Sequence, residues 1–441
     1  MKWKFVFLCV GSWAALTALL LWLLYINGMF RNGLINALPI GLSIVSFTAF
    51  MYSILLSVRP RKIEKDIGIM SLYKLHTVFA IIGLLTAAYH INARYNWGDP
   101  ITTFAFITGM PSFILALTAV LTGIFVLSTI FVKYSASLTK LKETKFKRET
   151  GLWIHRLVIA GFILIYPHAI YFGFVRNNFW FAAVFTICFA GTLLVYYVYK
   201  LNILNLPKYK LTAVLNLTED TYRIDMEPKE GELFLYRAGD FAFLRPVKTA
   251  LPFEAHPFTM SSTPLDRRNV SMIIKEAGDF TNQISKLKVG DTVTLEGPYG
   301  NLFSEELEEK ETPIVMLAGG IGIAPMVSII HYLADTNSKR DIVLLWSASR
   351  HKDVFEEDYY NKLNCRFSNF KLNILLTKEK KDGYLHGRIS HKQFEKMNMT
   401  HYYETADFII CGSTKMVGSM IDMLKEQKVN SARIHAEEFD F

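Results

Sequence analysis

The chain has 441 residues and a net charge of +9, and its apolar residues are concentrated in the first 200 positions. Its length leaves room for about three domains, and the apolar half excludes a purely soluble protein. Four scattered cysteines without a CxxC pair exclude a disulfide framework and a zinc domain. The positive charge is typical of basic loops beside anionic lipid, and we expect no nucleic-acid partner.

Six apolar runs in this half are long enough to cross a hydrocarbon core, which takes about 20 residues each. They lie near 5–26, 34–58, 71–92, 104–132, 151–174 and 178–200. The first run is too long for a secretory signal and no small-residue cleavage site follows it. The sequence therefore predicts a six-helix transmembrane bundle over residues 1–205.

Lysine and arginine counts in the short loops predict the orientation of the bundle. The stretches 58–66 and 133–151 are basic, whereas the loops near 27–33, 93–103 and 174–178 carry about one arginine each. Basic loops stay in the cytoplasm. We therefore expect a multi-pass protein of the cell membrane, in contact with lipid, with both termini and the soluble half in the cytoplasm.

Four histidines lie inside the predicted third and fifth spans, where an ionisable residue indicates a function. His76 and His90 are fourteen residues apart, or about 21 Å along one helix face, and His155 and His168 are thirteen apart, or about 20 Å. Both spans start from the cytoplasm, so His76 is predicted level with His155 and His90 level with His168. Two facing imidazole pairs are typical of two bis-histidine haems.

The thirteen-residue spacing leaves His168 about 140° away from the azimuth of His155 on an ideal helix. We expect Pro167 to kink or rewind the fifth helix and return His168 to the same face. Satisfied core histidines and a proton relay remain alternatives to haem ligation. Arg94, four residues past His90, is a candidate for pairing with haem propionates or attracting an anionic substrate; an exposed loop arginine is the alternative.

The soluble half changes its pattern once. Segments such as KLTAVLNLTEDTYRIDMEP and DTVTLEGPYG predict an antiparallel β-barrel over residues 206–308. From about residue 309 to 441, strands alternate with Gly-rich turns and helices, which predicts a nucleotide-binding α/β domain. The fold class is therefore a multidomain membrane protein with a six-helix bundle, a β-barrel and an α/β domain.

Two motifs of the α/β domain favour a dinucleotide with a phosphate on its ribose. The turn GGIGIAP follows a strand and precedes a helix, so Gly319, Gly320, Gly322 and Pro325 are predicted to surround a pyrophosphate. The next strand ends in SASRHK without an acidic residue for a ribose hydroxyl. Arg350 is thus the predicted contact to a 2′-phosphate, which favours NADPH, and a solvated basic loop is the alternative.

The motifs in order carry a resemblance to a known family. They are HPFTMSSTP (256–264), GDFT (278–281), EGPYG (296–300), LAGGIGIAPM (317–326), ICGSTKMV (410–417) and the terminal EEFDF. This set resembles the ferredoxin-NADP reductase fold. Together with the two histidine pairs, the chain resembles the NADPH oxidase and ferric reductase superfamily over its whole length.

The resemblance implies several site residues. The residues expected at FAD are His256, Pro257, Phe258, Thr259, Ser261, Ser262, Gly278 and Thr281. Cys411 and Gly412 are implied beside the nicotinamide, and Phe441, or else Phe439, on the flavin ring. A strand end packed in a core is the alternative for these last positions.

The sequence thus predicts an oxidoreductase that moves electrons from cytoplasmic NADPH through FAD and two b-type haems to an acceptor across the membrane. We expect dioxygen as the acceptor, giving superoxide, because the outer loops are too short to grip a metal chelate. A ferric-chelate reductase, a haem conduit to a partner protein and a proton-coupled transporter are the alternatives. No EF-hand loop is present, and no obligatory protein partner is predicted.

Overall fold

The computed structural model describes residues 2–28, 33–60, 63–64, 67–96, 102–127 and 148–438. The chain forms two compact units, Met1–Leu204 and Asn205–Phe441. Most of the predicted basic stretch at 133–151, and parts of the other predicted loops, lie outside the described residues. Each unit is described separately below.

The first unit consists of helices. They are α1 (Lys2–Ile26), α2 (Leu34–Ser57), α3 (Ile69–Asn96), α4 (Thr103–Thr122), α5 (Arg148–Arg156), α6 (Val158–Tyr171), α7 (Gly173–Arg176) and α8 (Phe179–Leu204). Six stretches of the described helices are long and apolar enough to cross a membrane, as the sequence predicted. They are Phe5–Ile26, Ala37–Ser57, Ile69–Arg94, Thr103–Phe125, Thr150–Tyr171 and Phe179–Leu204.

Two of these spans depart from a regular α-helix. The fourth continues beyond α4 as a π-helical turn, Gly123–Leu127. The fifth is divided at Leu157 into α5 and α6, where the Leu157 amide donates to the Ile154 carbonyl three residues earlier. A three-residue bond winds the chain more tightly than an α-helix. The fifth span is therefore interrupted two residues after His155, and α6 continues through Pro167, where we had expected the irregularity.

The second unit begins with an antiparallel sheet. Its strands are β1 (Lys208–Thr218), β2 (Thr221–Pro228), β3 (Phe241–Lys248), β4 (His256–Thr259), β5 (Val270–Lys275) and β6 (Thr292–Tyr299), in the order β4-β3-β6-β1-β2-β5. A bridge between Met260 and Met272 joins the end of one edge strand to the other edge strand. Alternate residues point into a common core, as in β2, where Ile224 and Met226 are fully buried.

A parallel sheet follows, preceded by the short helix α9 (Glu305–Glu308). The strands are β7 (Ile314–Gly319), β8 (Ile342–Ala348), β9 (Phe370–Leu376), β10 (Leu385–His386), β11 (Asp407–Gly412) and β12 (Ile434–Glu438). The helices are α10 (Ile323–Asp335), α11 (Glu357–Arg366), α12 (His391–Lys396), α13 (Tyr402–Thr405) and α14 (Thr414–Glu426). The strand order is β10-β9-β8-β7-β11-β12. The predicted α/β domain is therefore present, with its apolar strands covered by helices.

The order of the parallel strands reverses between β7 and β11. From β7 the chain builds outward through β8, β9 and β10, and then returns to place β11 on the other side of β7. Ligands of open α/β sheets bind outside the carboxyl ends of strands at such a reversal. Here those ends are Gly319 and Gly412, which belong to the motifs that the sequence singled out.

Candidate functional sites

The histidines of the third and fifth spans face each other in two pairs. The ring centroids of His76 and His155 are 5.9 Å apart, and those of His90 and His168 are 6.4 Å apart. The ring planes within the pairs are inclined by 63° and 85°. The first pair therefore joins α3 to α5, and the second pair joins α3 to α6, in the pairing that the spacing predicted.

Every one of the four rings has its Nδ1 atom beside a backbone carbonyl of a neighbouring span. His76 Nδ1 lies 2.8 Å from Ser53 O and His90 Nδ1 lies 2.9 Å from Pro39 O, both in α2. In α4, Ala119 O lies 2.8 Å from His155 Nδ1. Ala105 O lies 3.2 Å from His168 Nδ1. A carbonyl oxygen only accepts, so Nδ1 carries the proton in all four rings.

This arrangement fixes the tautomer of each ring. With the proton on Nδ1, the lone pair of the imidazole is on Nε2, the nitrogen that is free to bind a metal. A hydrogen bond from the second ring nitrogen to a carbonyl is the usual support of a metal-binding histidine. Each pair can therefore offer two Nε2 lone pairs to a metal. The described residues hold no group of three or more histidine, cysteine or carboxylate side chains that could bind an ion without a further cofactor.

Two glycines in the fourth span make room for the rings. A Cβ atom at Gly109 would lie 2.9 Å from His168 Cε1, and one at Gly123 would lie 3.3 Å from His155 Cε1. Each glycine follows an acceptor carbonyl, Ala105 or Ala119, by four residues, which is where a helix carbonyl points. In α2, Ser43 likewise follows the acceptor residue Pro39 by four residues, and Ser57 follows Ser53 by four residues.

Sequence reasoning missed these supporting positions. The acceptors are backbone atoms, so their residue types carry no signal. The small residues do carry one, because Gly109 and Gly123 are fourteen residues apart, as are Ser43 and Ser57, and His76 and His90. A matched spacing of small residues in the neighbouring spans could have identified the packing partners of the histidines.

The second pair borders a cavity of about 620 Å³. Its lining is mostly apolar and includes His90, His168 and Arg94, with Phe106 and Phe172 among the aromatic residues. That volume is within the usual range for a cofactor pocket. Arg94 is therefore near the second pair, as its place four residues after His90 predicted.

The glycine turn after β7 packs directly on the end of β11. A Cβ atom at Gly322 would lie 2.4 Å from the Cys411 carbonyl oxygen, and Gly320 has a φ of +54° that favours glycine. The indole Nε1 of Trp346 donates to Gly320 O over 3.1 Å. Pro325 lies in the first turn of α10, where a missing amide proton costs nothing. The structure thus brings the two motifs together at the sheet reversal.

Two further predicted residues of this domain differ in exposure. Cys411 is fully buried among apolar side chains, and burial raises the pKa of its thiol well above the usual value, with the nearby Glu437 adding to the shift. The thiol is therefore protonated. Arg350 follows β8 on the surface, where its backbone amide donates to the Asp353 carboxylate over 3.0 Å. Phe439 and Phe441 lie outside the described residues.

The motifs predicted for FAD meet in the antiparallel sheet. The ring of His256 stacks on Phe280 with centroids 3.9 Å apart, which joins the HPFT strand β4 to the GDFT loop. Its Nε2 atom is 2.9 Å from the Glu254 carboxylate. The ring centroid of Phe258 lies farther from that of Phe280, at 6.3 Å. Pro257 lies between His256 and Phe258 in β4. Phe280 was inside a quoted motif, yet its stacking role was missed.

The hydroxyl residues of these motifs mostly shape the backbone. Thr281 Oγ1 accepts the amides of Gly278 and Ala277, each over 2.9 Å, and so closes the loop. Ser262 Oγ accepts the Ser271 amide over 3.1 Å. Thr259 and Ser261 are buried. Tyr236, which the sequence did not single out, has its hydroxyl 3.0 Å from Ser262 Oγ.

Comparisons with known proteins identify both domains of this unit. Residues 204–302 match the family model of the FAD-binding domain, and residues 316–421 match that of the oxidoreductase NAD-binding domain. A component of the Na(+)-translocating NADH-quinone reductase of Neisseria meningitidis is 26% identical over 285 residues, covering 54% of this chain and 69% of that protein. The reductase component of propane 2-monooxygenase of Mycolicibacterium smegmatis is 25% identical, covering 52% and 66%.

A solved structure is similar as well. The FAD/NAD-binding domain of nitric oxide dioxygenase from Vibrio cholerae is 21% identical, has a TM-score of 0.48, and covers 53% of this chain and 98% of that one.

The soluble half of this chain is therefore an FAD- and NAD-binding oxidoreductase module for electron transfer. More particularly, it is a module of the ferredoxin-NADP reductase type, the kind found in ferric reductases and NADPH oxidases, and six apolar helices precede it.

Proposed function

We propose that the chain is a transmembrane NADPH oxidase that moves electrons from NADPH through FAD and two b-type haems to dioxygen, giving superoxide. The main support for the proposal is the two facing imidazole pairs, in which each ring has its Nδ1 atom at a backbone carbonyl. The same chain contains a flavin and nicotinamide module that the comparisons identify independently.

The distances within the pairs fit a haem iron. An imidazole nitrogen binds a metal at about 2.0 Å, and the ring centroid lies about 1 Å behind it, so two rings on one iron have centroids about 6 Å apart. The observed separations are 5.9 and 6.4 Å. Core histidines that bonded to each other would approach more closely, and both Nδ1 protons of each pair are directed elsewhere.

His76 and His155 would hold one haem, and His90 and His168 the other. Bound there, the haems supply one-electron steps between the reduced flavin and the acceptor. The chain contributes fixed Nε2 ligands, an apolar lining that keeps water from the path, and Arg94 as a cation at the second pair. That cation would attract an anionic acceptor or pair with a propionate.

The soluble unit would receive the electrons from NADPH. The glycine turn and the start of α10 would bind the pyrophosphate, and Gly322 in contact with Cys411 would place the nicotinamide at the end of β11. FAD bound there would supply the conversion from a two-electron donor to one-electron transfer. His256 and the Gly278 loop would hold FAD, and Phe441 or Phe439 would cover its ring.

The proposal includes the orientation of the chain in the membrane and the bounds of its two soluble domains. Both termini and the soluble unit would face the cytoplasm of a cell-membrane protein, as the lysine and arginine counts of the loops favour. The bridge from Met260 to Met272 supports closure of the antiparallel sheet into a barrel over residues 206–308, followed by the NADPH domain over 309–441. No protein partner is needed for turnover in this proposal.

A reduced-minus-oxidised visible spectrum of the purified chain tests the haem assignment. We expect b-type bands for two haems per chain, halved by His90→Ala or His168→Ala and unchanged by His401→Ala on the soluble surface. Bands that survive all four single changes at the paired histidines contradict the assignment.

Acceptor assays with the same protein test the product. NADPH oxidation should yield a signal that superoxide dismutase removes. Ferric-chelate reduction that proceeds anaerobically at the higher rate identifies a ferric reductase instead, and turnover that requires an added protein identifies a haem conduit.

Nucleotide preference tests the role of Arg350. Arg350→Ala should raise the KM for NADPH by at least about tenfold, since a charged hydrogen bond to a phosphate contributes about 1.5–3 kcal/mol, and leave the KM for NADH unchanged. Lys352→Ala is the matched control, because Lys352 already pairs with Glu219. Equal effects on both nucleotides would place Arg350 outside the 2′-phosphate site.

A further inference from the structure

The two histidine pairs differ in the hydrogen bonds to their Nδ1 atoms. In the first pair, His76 Nδ1 lies 2.8 Å from Ser53 O and 2.9 Å from Ser53 Oγ, and His155 Nδ1 lies 2.8 Å from its carbonyl. In the second pair, His90 Nδ1 lies 2.9 Å from its carbonyl, and His168 Nδ1 lies 3.2 Å from its carbonyl and 3.3 Å from Thr108 Oγ1. Each pair has three such contacts, and on average those of the first pair are shorter.

The Ser53 hydroxyl is oriented to accept from His76. Ser53 is buried, with 4% of its surface exposed, and its hydroxyl donates to the His76 carbonyl over 3.1 Å. A hydroxyl has one proton, so its lone pairs are left for the Nδ1 proton of the same histidine. One serine hydroxyl therefore forms hydrogen bonds with both the ring and the backbone of His76.

At the second pair, the hydroxyl that corresponds to that of Ser53 belongs to Thr108. Its hydroxyl donates to the Phe104 carbonyl of its own helix over 2.7 Å, as threonine commonly does within a helix. At 3.3 Å, its contact with His168 Nδ1 is at the weak limit of a hydrogen bond. The hydroxyl beside the second pair therefore polarises its histidine less than Ser53 does.

Cations flank both pairs in the sequence. Lys74 precedes His76 by two residues and Arg156 follows His155 directly, while Arg94 is one turn beyond His90. The hydrogen bonds differ at the ring nitrogens themselves.

We propose that Ser53 is a positioning residue that makes His76 the more basic ligand and gives the haem of the first pair the lower reduction potential. Stronger Nδ1 bonds raise ligand basicity, and a more basic ligand stabilises the ferric iron. Electrons then move downhill from the first pair to the second. The inference rests on the proposed haem ligation.

Redox titration of the visible bands of the full-length protein tests the proposal. Wild type should show two potentials, and Ser53→Ala should raise the lower one by an amount equal to about a tenfold change in the one-electron equilibrium constant, the upper end of the range for loss of one neutral hydrogen bond. The higher potential should not move. Ser57→Ala is the matched control, because Ser57 is one turn further along α2 and its hydroxyl bonds to Ile54 O over 2.7 Å.

Electron paramagnetic resonance of the ferric protein adds a readout that depends on ring orientation. The inclined ring planes of 63° and 85° predict two distinct low-spin signals. Ser53→Ala should shift one signal only, since His76 keeps the Ser53 carbonyl but loses the hydroxyl contact that helps to orient its ring. A change in both signals, or in neither, contradicts the assignment of Ser53 to one pair.

The outcomes separate this inference from the proposed function. A wild-type protein without haem bands overturns both. Two haems whose potentials are unchanged in Ser53→Ala, or are shifted equally by Ser57→Ala, overturn the inference alone. If Ser53→Ala loses a haem, Ser53→Thr decides: both haems and both potentials retained with the threonine hydroxyl support the proposal, and their loss contradicts it.

Discussion

At the scale of single residues, substitution of Gly109 tests how closely the ring of His168 packs against α4. Gly109→Ala would place a methyl carbon 2.9 Å from His168 Cε1, closer than side chains tolerate, so the ring must turn. We expect one haem of the two to be lost or its band to shift. Gly191→Ala in α8 is the control, because nothing lies within 4 Å of its added carbon. An unchanged haem content in Gly109→Ala would show that His168 is free to rearrange.

Asp407 at the start of β11 stabilises the soluble unit through its charge. Burial alone raises the pKa of this carboxyl, but hydrogen bonds from His435 and Thr312 and the charge of Lys310 outweigh it and lower the pKa from 3.8 to about 2. A lowered pKa stabilises the fold above pH 3.8, and that contribution is lost as the pH falls towards 2. The difference corresponds to about 2 kcal/mol.

Asp407→Asn should therefore lower the free energy of unfolding at pH 7 by about 2 kcal/mol, and the gap from wild type should narrow below pH 4. Chemical unfolding followed by flavin fluorescence measures both. The exposed Asp382→Asn serves as the control. A deficit in Asp407→Asn that stays constant down to pH 3 would show that packing, not charge, is lost.

At the scale of secondary-structure elements, the sequence predicted the order of spans, strands and helices because hydrophobic length and periodicity decide them. It placed His76 opposite His155 and His90 opposite His168 from the spacing alone. It did not predict the tighter turn at Leu157, which no helix breaker signals, and the kink expected at Pro167 stays a prediction. The acceptor carbonyls in α2 and α4 could not be predicted, since they depend on how neighbouring helices pack.

The contact between β7 and β11 makes the glycine turn sensitive to a single carbon. Gly322→Ala would put Cβ 2.4 Å from the Cys411 carbonyl oxygen, a backbone atom of the buried strand β11 that cannot move aside. We expect flavin reduction by NADPH to slow at least tenfold under anaerobic conditions, because the glycine turn is displaced from the end of β11. Gly418→Ala in α14, with open space around it, should match wild type or be slightly more stable. Normal reduction in Gly322→Ala would place the nicotinamide elsewhere.

At the scale of the whole molecule, the two units have separate cores, and both family models fall almost wholly within the second. The antiparallel and parallel sheets bury their own apolar residues, and none of the described strands of either sheet comes from the membrane unit. This arrangement is what independent folding requires. The two units can therefore be tested one at a time.

A fragment of residues 205–441 should fold without the membrane unit, bind FAD and oxidise NADPH with ferricyanide as an artificial acceptor. It should show no haem bands and form little superoxide, because all four paired histidines are absent from it. A second fragment, residues 221–441, lacks β1, which lies between β6 and β2 in the centre of the antiparallel sheet. That fragment should lose FAD. A longer fragment that is insoluble, or that lacks FAD while the full chain contains it, contradicts independent folding of the second unit.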